Sequence, residues 1–167
     1  MKYIRTDVSG NKLRIYSKKG VKCSGPLEVV VVVKNLNEIK VSGAVNITSE
    51  GRINTGDFKF DFSGASKVDM DLSAANVITE AKGATELHLK GQAAAHRVNL
   101  SGVGKLYALD FVVADYRIKT SGASHCEINV LKNLEVNSKG ASEVTYRGNP
   151  SSVVNHKSGA SSIKKID

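Results

Sequence analysis

The chain has 167 residues, with 24 Lys and Arg against 16 Asp and Glu, which gives a formal net charge of +8. Aromatic residues make up 5% and Trp is absent, so the core has to be built from Val, Ile, Leu, Ala and a few Phe within one domain. The excess positive charge favours anionic neighbours, but the lysines are dispersed, and no Arg-rich run interleaved with aromatics points to nucleic acid.

Residues 1–26 are expected to form an N-terminal strand and cap segment. Met1 to Arg5 lacks the apolar run of an export signal, and no segment approaches the length of a membrane span. Leu13 and Ile15 alternate as a short strand, Lys18 to Gly20 reads as a turn, and Ser24-Gly25-Pro26 as a degenerate corner. Leu27 to Val33, with five consecutive valines, reads as a fully buried strand.

Residues 27–167 carry a repeat. A short phrase recurs seven times, at Ser42-Gly43-Ala44, Ser63-Gly64-Ala65, Lys82-Gly83-Ala84, Ser101-Gly102-Val103, Ser121-Gly122-Ala123, Lys139-Gly140-Ala141 and Ser158-Gly159-Ala160. The glycines are 21, 19, 19, 20, 18 and 19 residues apart. Such a period marks like units that bury their apolar faces on one another. Four residues after each glycine the chain reads Ile47, Val68, Leu87, Leu106, Cys126, Val144 and Ile163, all apolar. Two and four residues before it stand pairs such as Phe60 with Phe62 and Val98 with Leu100. These are period-two patterns without helix period, rich in β-branched residues.

About nineteen residues are too few for a strand, a full helix and two loops. The expected fold is therefore all-β: a right-handed parallel β-helix, or solenoid, of about seven coils of ~19 residues, each made of two or three short strands. The glycines are expected to be structural corners, where φ is positive or a Cβ does not fit. Ser beside them can bond the neighbouring corner's backbone. Gly104 doubles the glycine of its copy and suggests a bulge.

Cys126 falls on the inward column and is expected to be a buried thiol, out of disulfide reach of Cys23. Pro150 marks a sharper loop in Gly148-Asn149-Pro150-Ser151. The last repeat is followed only by a short tail with Lys164, Lys165 and Asp167. Its open strand edge offers a route to self-association.

Three residues after each glycine, an outward column reads Asn46, Lys67, Glu86, Lys105, His125, Glu143 and Ser162. Its alternating charges suit a solvated ladder. Asp69 and Asp71 share a face, with Glu50 expected beside Asp71 on one side, and His88 and Lys90 on the other. Paired carboxylates of this kind serve glycoside cleavage or Ca²⁺ binding. However, Lys90 is placed to neutralise one of them, and no aromatic platform or Asp-Gly calcium loop accompanies them. The candidate binding residues are Lys67, Asp69, Asp71, Glu86, His88 and Lys90. No catalytic residue, metal site or cofactor is expected. His96 reads as a satisfied inward or corner residue.

Ser-Gly-Ala-Ser at 63–66, 121–124 and 158–161, Leu89-Lys90-Gly91-Gln92-Ala93, and Val144-Thr145-Tyr146-Arg147-Gly148-Asn149-Pro150 together form a distinctive ordered set. With them the chain, over about residues 27–163, resembles the family described as putative auto-transporter adhesin, head GIN domain. The resemblance implies a right-handed single-chain β-helix exported to the Gram-negative envelope, often lipid-anchored, and offers no catalytic residues. The expected function is that of a non-enzymatic, adhesin-like binding or scaffold module of the periplasm or cell surface, whose export or lipoprotein signal is absent from this chain. Its expected partner is an acidic glycan or another envelope component. The rival readings are a polysaccharide-active hydrolase or lyase, and a scaffold that polymerises end to end.

Overall fold

A computed structural model describes residues 4–17, 25 and 27–167. The turn expected at Lys18 to Gly20, the corner at Ser24-Gly25-Pro26 (apart from Gly25) and Cys23 lie outside the described residues. The chain divides into two compact units, Met1–Val33 and Lys34–Asp167.

In the first unit, β1 (Ile4–Ser9) and β2 (Lys12–Ser17) form an antiparallel hairpin in which Ser9 pairs with Lys12 and Ile4 with Ser17. Gly10, at φ +57°, opens its two-residue turn with Asn11. Leu13 and Ile15 lie in β2, as their alternation suggests, and the Arg14 guanidinium sits 5.1 Å from the centre of the Tyr16 ring. The valine run departs from expectation. Val29 to Val33 are exposed and outside any strand. A continuous apolar run is buried only where both of its faces are covered, and strand pairing resumes only at Glu38.

The second unit holds β3 (Glu38–Arg147), β4 (Ser152–Ser158) and β5 (Ser162–Lys165). Both short strands run parallel to β3, with Asn133 opposite Ser152 and Glu143 opposite Ser162. The expectation of a right-handed parallel β-helix of seven coils is corrected here. The strands form two small sheets, one of two antiparallel strands and one of three parallel strands. No series of seven coils, each with two or three discrete strands, is found among the described residues. Counting coils from a period assumes that each corner interrupts the strand. Here strand pairing continues across the positive-φ glycines, and β3 is a single run of 110 residues. Nor are the seven copies equivalent, because Ile47 and Ile163 are only half-buried while Val68, Leu87, Leu106, Cys126 and Val144 are buried.

What the repeat does govern is which backbone segments touch. All seven repeat glycines have φ between +91° and +117°. A Cβ on Gly64, Gly83, Gly102, Gly140 or Gly159 would come within 2.5–2.7 Å of the carbonyl oxygen of the preceding repeat glycine. Neighbouring hydroxyls bridge the same corners. Ser63 Oγ donates to the Val41 carbonyl at 3.3 Å, and Ser161 Oγ to that of Gly140 at 3.3 Å. A second line of positive-φ glycines, at Gly51, Gly91 and Gly148, falls eight residues after three of the repeat glycines. Gly104 keeps a negative or extended φ. It is buried against Leu100, whose side chain takes the space a Cβ would need.

The core follows the period-two pattern. Phe58, Phe60 and Phe62 stand in a row with ring centres 4.7 and 5.6 Å apart, and Met70, Leu72, Leu89, Ile118, Ile128 and Val136 pack with them. Burying one such side chain stabilises the fold by about 1.5–3 kcal/mol. Leu106 is fully buried and Lys105 beside it is exposed. Leu106→Ala is therefore expected to cost about 2–5 kcal/mol, and Lys105→Ala less than about 1 kcal/mol, as measured by urea unfolding. Equal losses would mean that the strand faces the other way.

Candidate functional site

The alternation that drives Val68, Met70, Leu87 and Leu89 inward turns the residues between them outward. Side chains three, five and seven residues after each repeat glycine thus share one outward face. All six candidate binding residues lie on it.

They do not form one cluster. Lys67 Nζ donates to Glu86 Oε1 at 2.8 Å, and His88 Nε2 meets the same oxygen at 2.8 Å. These two contacts, Lys67 first, hold the Glu86 carboxyl down at about 2. Asp71 belongs to a different pair. Arg52 grips it with Nε at 2.7 Å and a second guanidinium nitrogen at 3.3 Å, while the Asp71 backbone N–H donates to Ser49 Oγ at 3.1 Å. Arg52, and not Glu50 or Lys90, is therefore the neighbour that matters to Asp71. Among the described residues, Asp69 and Lys90 make no ion pair.

Sequence reasoning missed Tyr107. Its ring stacks on His88 with centres 4.7 Å apart, and the His125 ring lies 5.9 Å away on a tilt. His125 contacts Glu127 through Nε2 at 2.9 Å and Glu143 through Nδ1 at 3.2 Å. The signal was available, because Tyr107 stands five residues after Gly102 just as His88 stands five after Gly83. The face thus carries an imidazole–phenol–imidazole row flanked by paired carboxylates. Beside it, Val103, Lys105, Ala123, His125, Ala141, Glu143, Ala160 and Ser162 line a shallow groove.

The interior holds its own polar group. His96 is enclosed, shares a hydrogen bond of 2.9 Å with Thr79 Oγ1, and packs edge-on to Phe111 and against Tyr116. Burial lowers its imidazole to about 3, so the ring is neutral. Among the described residues, no group of three or more His, Cys, Asp or Glu is placed to hold a metal ion, and no helix is long and apolar enough to cross a membrane.

No curated protein matches the chain. Among solved structures it is similar to a putative adhesin from Bacteroides fragilis, at 21% identity and a TM-score of 0.93, over 99% of this chain and 77% of that one. It is also similar to a putative lipid binding protein from Parabacteroides distasonis, at 20% identity and a TM-score of 0.54, over 99% and 80% of the two chains. At these identities the likeness is one of fold. The family model for the putative auto-transporter adhesin, head GIN domain, matches residues 1–150, starting before and ending short of the stretch of about 27–163 over which the motifs carry the resemblance, and the chain belongs to that family.

Proposed function

We propose that the protein is a non-enzymatic, adhesin-like module of the bacterial envelope that binds a glycan on the face bearing Lys67, Glu86, His88, Tyr107 and His125. The observation that carries this reading is the commitment of two of the face's carboxylates, Glu86 and Asp71, to cationic partners. Glycoside cleavage needs one carboxyl that keeps its proton near neutral pH and a second that is free to attack or to activate water. Glu86 is held at about 2 by Lys67 and His88, and Asp71 is gripped by Arg52. An ordered array of donors and acceptors around Tyr107 suits recognition of sugar hydroxyls without such chemistry. Membership in an adhesin family supports both the binding role and the envelope location.

The test is to incubate the protein with a panel of neutral and acidic envelope polysaccharides, and to measure binding and new reducing ends in the same samples. Binding without cleavage, weakened at least about tenfold by Tyr107→Ala together with His88→Ala, is the expected result. New chain ends would overturn the non-enzymatic reading, and indifference to both substitutions for every polysaccharide that binds, neutral ones included, would overturn the face.

A further inference from the structure

The ionic residues of the second unit are not spread evenly over its surface. Side chains one, three and five residues before each repeat glycine make a second outward face. The β4 register shows it directly, with Glu135, Asn137 and Lys139 opposite Val154, His156 and Ser158. The inward residues between them, Val98 and Leu100, Ile118 and Thr120, Val136 and Ser138, are buried. Near its start this face is neutralised, by Lys40 on Asp61 at 2.7 Å and Lys59 on Glu80 at 3.2 Å.

From Lys82 onward the pattern changes. Lys82, Arg97, Arg117 with Lys119, and Lys139 project from four successive segments; of the carboxylates beside them, Glu135 is bound by Arg117 at 2.6 Å, and Asp115 accepts from the Asn133 side-chain amide. Among the described residues, Lys82, Arg97, Lys119 and Lys139 have no carboxylate within ion-pairing distance, and all four are exposed. Between them stand only hydroxyls and amides, from Ser101, Ser121, Asn99 and Asn137.

We infer that this strip binds a linear polyanionic glycan lying across the strands. Successive cations come from segments stacked at roughly the ~4.8 Å spacing of paired strands. They stand one, three or five residues before their repeat glycines, so together they form a broad cationic patch across four stacked segments, over which a chain with one negative charge per monomer can lie. The intervening hydroxyls and amides suit sugar oxygens. No aromatic side chain stands among them to stack a base, which disfavours single-stranded nucleic acid. No large apolar side chain projects between Arg97 and Lys139 on this face to enter a bilayer, which disfavours a membrane. The inference rests on the reading of the chain as a binding module, but uses a different face from the one around Tyr107.

The experiment compares three proteins: wild type, Lys82→Gln/Arg97→Gln/Lys119→Gln/Lys139→Gln, and a control with the same loss of charge elsewhere, Lys34→Gln/Lys132→Gln/Arg147→Gln/Lys164→Gln. Binding to immobilised alginate, to neutral dextran and to phosphatidylglycerol vesicles is measured at low and high salt, and circular dichroism checks the fold. The expected result is alginate binding that weakens with salt, falls at least about tenfold in the strip variant, and survives in the control. Equal loss in both variants would mean that net charge alone is at work, and would overturn the strip. Retention in the strip variant, or vesicle binding as strong as alginate binding, would overturn it as well. Tyr107→Ala with His88→Ala, run alongside, separates the two faces: the strip predicts unchanged alginate binding in that protein.

Discussion

Gly102→Ala is expected to destabilise the protein by about 4 kcal/mol, out of proportion to the single methyl group added. Two costs combine. At φ +102° the backbone lies where L-residues are strained, which costs about 1–3 kcal/mol. The new Cβ would also stand 2.6 Å from the Gly83 carbonyl oxygen and 3.1 Å from its nitrogen. Those are backbone atoms, and moving them shifts the paired segment, at roughly another 1–3 kcal/mol. Two further glycines separate the terms. Gly43 has φ +105° and nothing within 4 Å of where its Cβ would stand, so Gly43→Ala should show the conformational cost alone. Gly56 has neither a positive φ nor a close neighbour, and Gly56→Ala should be neutral or slightly stabilising. Chemical denaturation of the three variants is the measurement. Equal losses at Gly43 and Gly102 would show that the contact between glycine corners carries no energy.

The second large effect is one of pH. His96 is held neutral, its imidazole lowered to about 3 by burial. In the unfolded chain the same ring titrates near ~6.5. Above that pH neither state binds the proton and His96 makes no difference. Below it the unfolded state takes up a proton that the folded state refuses, so stability falls as the pH drops, until about 3. At about 1.36 kcal/mol per pH unit the full window amounts to roughly 5 kcal/mol. The refusal has a structural cause: Nε2 already faces Thr79 at 2.9 Å, and a proton on Nδ1 would find no acceptor. His96→Gln should flatten the pH dependence between about 6.5 and 4.5, above the range in which most carboxylates titrate. The difference between wild type and variant, from unfolding midpoints at each pH, isolates the ring. Identical profiles would mean that water reaches His96.

Much of the inward and outward division was legible because a period of two leaves little choice. Once Leu106 faces in, Lys105 must face out, and the same holds for Val68 with Lys67 and Leu87 with Glu86. Family membership was also legible, in the corner motifs and in the closing run from Val144 to Pro150. Strand boundaries were not. Whether a corner breaks a strand depends on whether its neighbour continues the pairing, which is a property of two segments that neither one carries alone. Diagonal partners were hidden for a related reason. Columns counted from the repeat glycines set Glu50 level with Asp71, whereas the long Arg52 side chain reaches Asp71 on the diagonal, from two residues further along its own segment. Tyr107 escaped notice because its importance comes from His88 and His125 on either side. The valine run at 29–33 read as core on composition alone, and composition says nothing about what covers a strand.

Cys126 gives the native chain a recorder of its own rare openings. The side chain is enclosed, and burial pushes its thiol up to about 12. At pH 7 only about one molecule in 100,000 would carry the reactive thiolate there, against a few per cent for an unhindered cysteine. Alkylation at that sulfur therefore counts excursions in which the segment around Cys126 leaves its neighbours. Where reclosing outpaces the reagent, its rate reports the population of the open state in the middle of the repeat, with no substitution needed to see it.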